Sequence, residues 1–105
     1  MSVSDVDEAE LVELLGRDVM TTLGSAHLDM VRLTAQHHRQ FTDDPEYYFE
    51  RVVEDVQQQI HDCFIDTSWP RCPTHPNHPL WYRSGWWFAD GLPLTKLGEL
   101  RGTLK

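Results

Sequence analysis

Basic residues are scarce in this 105-residue chain: 9 Lys and Arg stand against 17 Asp and Glu, a formal charge of −8. Such an acidic excess repels phosphate at long range, which disfavours whole-molecule attraction to DNA, RNA or an anionic membrane and leaves only a local basic patch open. Cysteine is scarce too: Cys63 and Cys72 alone cannot supply the disulfide framework of a small secreted domain. No apolar run approaches the roughly 20 residues that span a bilayer, and the first residues are acidic where a signal peptide is basic. The chain therefore reads as cytoplasmic, with both thiols reduced and no membrane partner. A glycine-rich phosphate loop, a nucleophile elbow and a His-Glu-X-X-His helix are also missing, so no complete catalytic constellation supports an enzyme. What is there, 40% apolar and 10% aromatic residues, is too rich for a disordered chain, and this length supports one core and one domain over 1–105.

Charge divides the chain unevenly. Residues 1–66 hold 15 acids and 4 bases, a net of −11, whereas residues 67–105 hold 2 acids and 5 bases, a net of +3. All four tryptophans and five of the six prolines follow the divide. An acidic, mainly helical body carrying a basic, Trp- and Pro-rich cap is expected, an α+β fold.

In the body, Leu11, Leu14, Leu15, Val19 and Leu23 recur at helical spacing from Asp5 onward, with Ser4 or Asp5 as N-cap and Gly24 as terminator. Gly16 would sit mid-helix at a cost of about 1 kcal/mol against Ala, leaving a break there open. Between Ala26 and Gln36 two periods mix; Val31, Leu33 and Ala35 share one face of an extended segment and Arg32 and Thr34 the other, which predicts a strand. His27, His37 and His38 read as polar surface or strand-end residues. The clearest element is a core helix over about 45–66: Asp44 precedes a proline and becomes the N-cap, and Pro45 takes the first helical position. Phe49, Val52, Val53, Val56, Ile60, Cys63 and Phe64 form its apolar face, while Glu46, Glu50, Glu54, Gln57, Gln58 and His61 face outward.

The cap opens with Trp-Pro-Arg-Cys-Pro-Thr-His-Pro-Asn-His-Pro-Leu over 69–80, in which Cys72, His75 and His78 each precede a proline. Two conformations compete. In polyproline II the three side chains would lie along one edge about 9 Å apart, far too spread for one ion. A single zinc needs its donors within about 2.0–2.3 Å, so the segment would have to coil, as Cys-Pro-X-His does in a zinc knuckle. Cys72, His75 and His78 supply three donors and a closed structural site needs four. Candidates for the fourth are Cys63, His61, Asp66, Asp90 or a water, none of them convincing from spacing alone. Zinc is thus the one cofactor the sequence suggests, against a metal-free loop.

After Leu80, Leu-Trp-Tyr and Trp-Trp-Phe read as the two strands of an aromatic β-hairpin turning at Ser84 and Gly85, and Leu92–Leu100 packs back as a short strand or turn. Aromatics in a small cap ordinarily replace a thin core, so packing is the default reading of the tryptophans.

The second half of the chain resembles a family of small uncharacterised bacterial proteins, common in actinobacteria. The resemblance rests on Val56-Gln57, Trp69-Pro70, Cys72-Pro73, His75, His78-Pro79-Leu80, Trp86, Leu97-Gly98 and Leu100. It implies a metal-ribbon-like cap on a helical body. Where the family pattern places a cysteine after the hairpin tryptophan this chain has Phe88, so the cap resembles a degenerate zinc ribbon lacking one ligand.

Three functions compete. The first is a non-enzymatic structural or protein-interaction module, with Trp81, Trp86 and Trp87 as interaction residues and an unknown protein, or a second copy in a homodimer, as partner. The second is a metal-dependent hydrolase in which Cys72, His75 and His78 hold zinc and a water fills the fourth position. The third is weak nucleic-acid binding through Arg71, Arg83, Lys96 and Arg101, disfavoured by the overall charge. A Cys63–His61 catalytic pair fails because a buried thiol is harder to ionise.

Overall fold

The computed structural model describes residues 3–63, 69–70 and 79–100. Three helices, α1 (Asp5–Leu23), α2 (Leu28–Arg39) and α3 (Pro45–Cys63), precede three strands, β1 (Trp81–Arg83), β2 (Trp86–Ala89) and β3 (Leu92–Lys96). The α+β reading holds, with the helices N-terminal and the strands in one antiparallel sheet of order β1-β2-β3. Among the described residues no helix is long and apolar enough to cross a membrane.

Local chemistry explains α1 and α3. Ser4 and Asp7 form a reciprocal capping box: the Asp7 N–H donates to Ser4 Oγ at 3.2 Å and the Ser4 N–H to Asp7 Oδ2 at 3.0 Å. Asp5, Asp7 and Glu8 place negative charge at the positive end of the helix dipole. The helix runs through Gly16 unbroken. A Cβ there would lie 3.7 Å from Leu28 Cδ2, an ordinary van der Waals contact, so α2 packs beside Gly16 with room for a methyl group. In α3 the Glu46 N–H donates to Asp44 Oδ1 at 3.0 Å, confirming Asp44 as N-cap and Pro45 as first residue. Val52, Val53, Val56 and Ile60 are fully buried, as the periodicity predicts. Tyr48 joins them, donating its hydroxyl to Ala35 O at 2.7 Å, while Phe49 is only half-buried.

The strand expected over 26–36 is instead a short 3₁₀ turn, Ser25–His27, followed by helix α2. A strand would have buried Leu33 and exposed Thr34, yet Leu33 is 60% exposed and Thr34 only 6%. Leu28, Val31 and Ala35, three and four residues apart, carry the buried face. Helix wins because it satisfies its own backbone groups, whereas a strand here would require a sheet partner that the helical body does not offer. Its inner edge is tied to α3 by polar bonds: Gln59 donates to Thr34 Oγ1 at 2.9 Å, and His38 Nε2 lies 2.7 Å from Asp55 Oδ2. Arg39 pairs with Asp5 and Glu8 at the start of α1.

Both hairpin turns have positive φ at their two central residues, Ser84 (48°) with Gly85 (90°) and Asp90 (55°) with Gly91 (81°), the type I′ signature that suits the twist of antiparallel strands. Pro93 sits in β3, an edge strand, where its missing N–H breaks no ladder. Pairing opposes Trp81 to Phe88, Tyr82 to Trp87 and Arg83 to Trp86, so Tyr82 and Trp87 share the inner face. Trp87 is fully buried and meets Trp69 and Tyr82 edge-on, each at 5.8 Å between ring centroids.

Sheet and helices are joined at Asp18, a fully buried carboxylate on α1 that the acidic-surface reading did not single out. Trp87 Nε1–H and the Gly98 N–H donate to Oδ2 at 2.8 and 2.7 Å, and the Leu100 N–H donates to Oδ1 at 3.0 Å. One turn on, Trp69 Nε1–H donates to Thr22 Oγ1, which itself donates to Asp18 O, both at 2.7 Å. From α3, Gln57 leaves its expected solvent position and donates to Trp69 O at 3.2 Å and Leu80 O at 2.9 Å. Gly98 has φ +92°, and a Cβ there would stand 2.8 Å from Leu14 Cδ2, so only glycine brings this N–H down onto α1. Burial pushes the Asp18 carboxyl above its ordinary range, with the three N–H donors and nearby Arg17 pulling the other way. Three charge-assisted bonds at about 1.5–3 kcal/mol each offset part of a desolvation cost of several kcal/mol, and burial remains the larger effect on the carboxyl. Asp18→Ala strands three buried donors and should destabilise the fold by more than about 3 kcal/mol in urea denaturation, with Asp18→Asn costing less because one acceptor oxygen remains. An Asp18→Ala midpoint equal to that of the parent chain would show that the clamp carries no stability.

Candidate functional site

Alternation along the hairpin that buries Tyr82 and Trp87 turns Trp81, Arg83, Trp86 and Phe88 to the opposite face of the sheet. Register extends two rows across it. Arg83, Trp86 and Lys96 align in one row and Trp81, Phe88 and Pro93 in the next. Trp81 is 75% exposed and Trp86 37%, and the Lys96 ammonium sits 5.7 Å from the centre of the Trp86 ring. Of the three tryptophans expected as interaction residues, Trp87 is therefore corrected to a core residue: its indole is the one that anchors on Asp18. Trp81 and Trp86 remain on the surface.

This face continues into a groove of about 1030 Å³ whose opposite wall is the Glu50 and Glu54 side of α3, with Tyr82, Arg83 and Asp90 also lining it. Ser84 Oγ donates to Glu46 Oε1 at 2.8 Å, fixing the hairpin turn against the first turn of α3. The Gly85 N–H donates to Tyr82 Oη at 3.1 Å inside the same hairpin. Burial pushes the Tyr82 hydroxyl up to about 12; the Gly85 bond lowers it, and the negative charges of Glu50, Glu46 and Glu10 raise it further.

The chain matches no protein-family model, no curated protein and no solved structure. Function has to be read from this face and groove themselves.

Cys72, His75 and His78 lie outside the described residues, as does Asp66. Cys63 is the last residue of α3, and its side chain is likewise outside the description. Asp90 sits in the β2–β3 turn on the rim of the groove, and His61 is exposed near the end of α3. Among the described residues no three His, Cys, Asp or Glu side chains gather as a metal site. What the sequence reading missed is the groove wall: Glu50 and Glu54 appear there only as a solvated helix face, because nothing local signals that a sheet edge passes beside them. The face of each tryptophan was readable, since a two-residue turn at Ser84 and Gly85 puts Tyr82 and Trp87 on one side and Trp81 and Trp86 on the other.

Tyr82 offers a direct check of how tightly the hairpin closes. Its folded-state value lies above the ordinary 10.0, so the protonated hydroxyl contributes stability that is complete below pH 10 and lost as pH rises through about 12. Denaturation of the parent chain and of Tyr82→Phe across that window should show the parent losing its advantage with rising pH. Parallel pH dependences would contradict this burial.

Proposed function

We propose that the chain is a non-enzymatic protein-interaction module of the cytoplasm, whose helical body holds the outer face of the sheet, with Trp81 and Trp86, as the docking surface for a protein partner. One observation carries this reading: a tryptophan left 75% exposed beside a second indole on a sheet pinned to the core through its other face. Exposed aromatic clusters of this kind mark interaction sites, and tryptophan is the residue most enriched among binding hot spots. The fold supports it by rigidity, since Trp87 and Tyr82 anchor the same strands that display Trp81 and Trp86. Selection of a displayed random-peptide library should enrich binders on the parent chain and not on the Trp81→Ala/Trp86→Ala variant, whose thermal midpoint should stay within a few degrees of the parent's. No enrichment on the parent, or equal enrichment on both, would overturn the proposal.

A second reading, zinc held by Cys72, His75 and His78, is favoured by a hydrogen bond between residues that flank them. The Leu80 N–H donates to Pro70 O at 2.7 Å. That contact sets the two described residues on either side of the motif against each other, which supports a reading in which its donors serve one ion. Zinc bound there would cross-link the cap, with Cys72 as thiolate and the two histidines as neutral donors. Elemental analysis should find about one zinc per chain in the parent and far less in Cys72→Ser. Metal at trace level in both would dispose of the zinc reading.

A further inference from the structure

We infer that the groove between α3 and the outer face of the sheet takes an extended peptide segment bearing arginine or lysine side chains. This rests on the reading of that face as an interaction surface and names its ligand. Glu50 and Glu54 form one wall, while Trp81, Trp86 and Phe88 line the other side. Placed four residues apart on one helix, the two carboxylates repel each other, and among the described residues neither makes an ion pair that would relieve this. A cation entering the groove removes that repulsion and gains two charge-assisted contacts.

Aromatic chemistry on the same face points to the same ligand. The Lys96 ammonium over the Trp86 ring shows that an indole of this sheet already seats a cation. Trp81, in the next row and twice as exposed, presents its ring beside the Glu wall. A guanidinium suits this geometry best, because its plane stacks on an indole while its N–H fork pairs with a carboxylate. The backbone is matched as well: among the described residues β1 pairs with β2 alone, so an extended segment can run along its other edge. Among the described residues Arg83 is the single base lining the groove, so a nucleic-acid strand would set its phosphates against Glu50 and Glu54. The overall charge of −8 draws cationic partners from a distance and turns polyanions away.

The test uses the full chain and the change in tryptophan emission on titration with three probes: a short alternating Arg-Gly peptide, its Glu-Gly counterpart and oligouridine. The Arg-Gly peptide should bind, more weakly as salt is raised. Its affinity should fall about tenfold or more in Glu50→Gln/Glu54→Gln and in Trp81→Ala, while the other probes leave the emission unchanged. The glutamine pair removes a repulsion from an outer helix face, so circular dichroism should show its fold intact. Affinity that is equal in the glutamine variant, or tighter for oligouridine, overturns the inference. A Glu-Gly peptide bound in a Trp81-dependent way overturns the cationic ligand and leaves the interaction module standing. A parent chain that binds no peptide, including those from the displayed library, removes both.

Discussion

The buried carboxylate of Asp18 is the constraint on which the rest of the structure depends. It collects three N–H groups that lie 69, 80 and 82 residues further along the chain, one from an indole and two from the backbone that follows β3. Those donors would otherwise be buried without a partner, and a buried unpaired N–H costs about 1–3 kcal/mol, so a single α1 side chain decides where the second half of the molecule must sit. Gly98 marks how close this approach is, since no side chain fits between it and Leu14. Thr22, one turn along α1, seats the second indole, Trp69, and Gln57 on α3 holds the Trp69 and Leu80 carbonyls. Among the described residues no buried side-chain nitrogen or oxygen is left without a partner, which is what a clamp of this kind requires if it is to stabilise.

From that constraint the division of labour across the sheet follows. Clamping Trp87 from below fixes β2, and the pairings of β2 with β1 and β3 then fix which residues face outward. A three-stranded sheet needs an apolar face, or a helix to pack against, to be stable. Here one face is spent in the core with Tyr82 and Trp87, and the other is free to carry Trp81, Trp86 and Lys96. The acidic helix face beside it acquires a role it would not have in isolation, because α3 and β1 form the two sides of one groove.

Much of this was legible in the residues, and the parts that were not have physical causes. α1 and α3 announce themselves through local chemistry, Ser4 with Asp7 and Asp44 with Pro45, and through apolar stripes long enough to fix the period. The hairpin was readable from Ser84 and Gly85 between aromatic runs. α2 was misread because eleven residues with both Val31-Leu33-Ala35 and Leu28-Val31-Ala35 spacings satisfy two periods, and only the absence of a sheet partner in the helical body decides between them. Asp18 was illegible for a different reason: one acid among 17 carries no local mark of burial, and its partners are distant in sequence. Tyr48 was overlooked beside Phe49, where a buried hydroxyl depends on a carbonyl that only the α2 helix supplies. Cys72, His75 and His78 were the strongest motif in the sequence, and they lie outside the described residues.

The most direct test of the central claim, that helical body and sheet are one unit closed at Asp18, is native-state amide hydrogen exchange read residue by residue at Gly98 and Leu100. If the clamp holds, both N–H groups exchange only when the whole chain unfolds, as slowly as the amides of Leu15 and Val19 in the buried stretch of α1. Exchange at Gly98 and Leu100 orders of magnitude faster than in α1 would contradict it, because the sheet would then open while the helices remained folded.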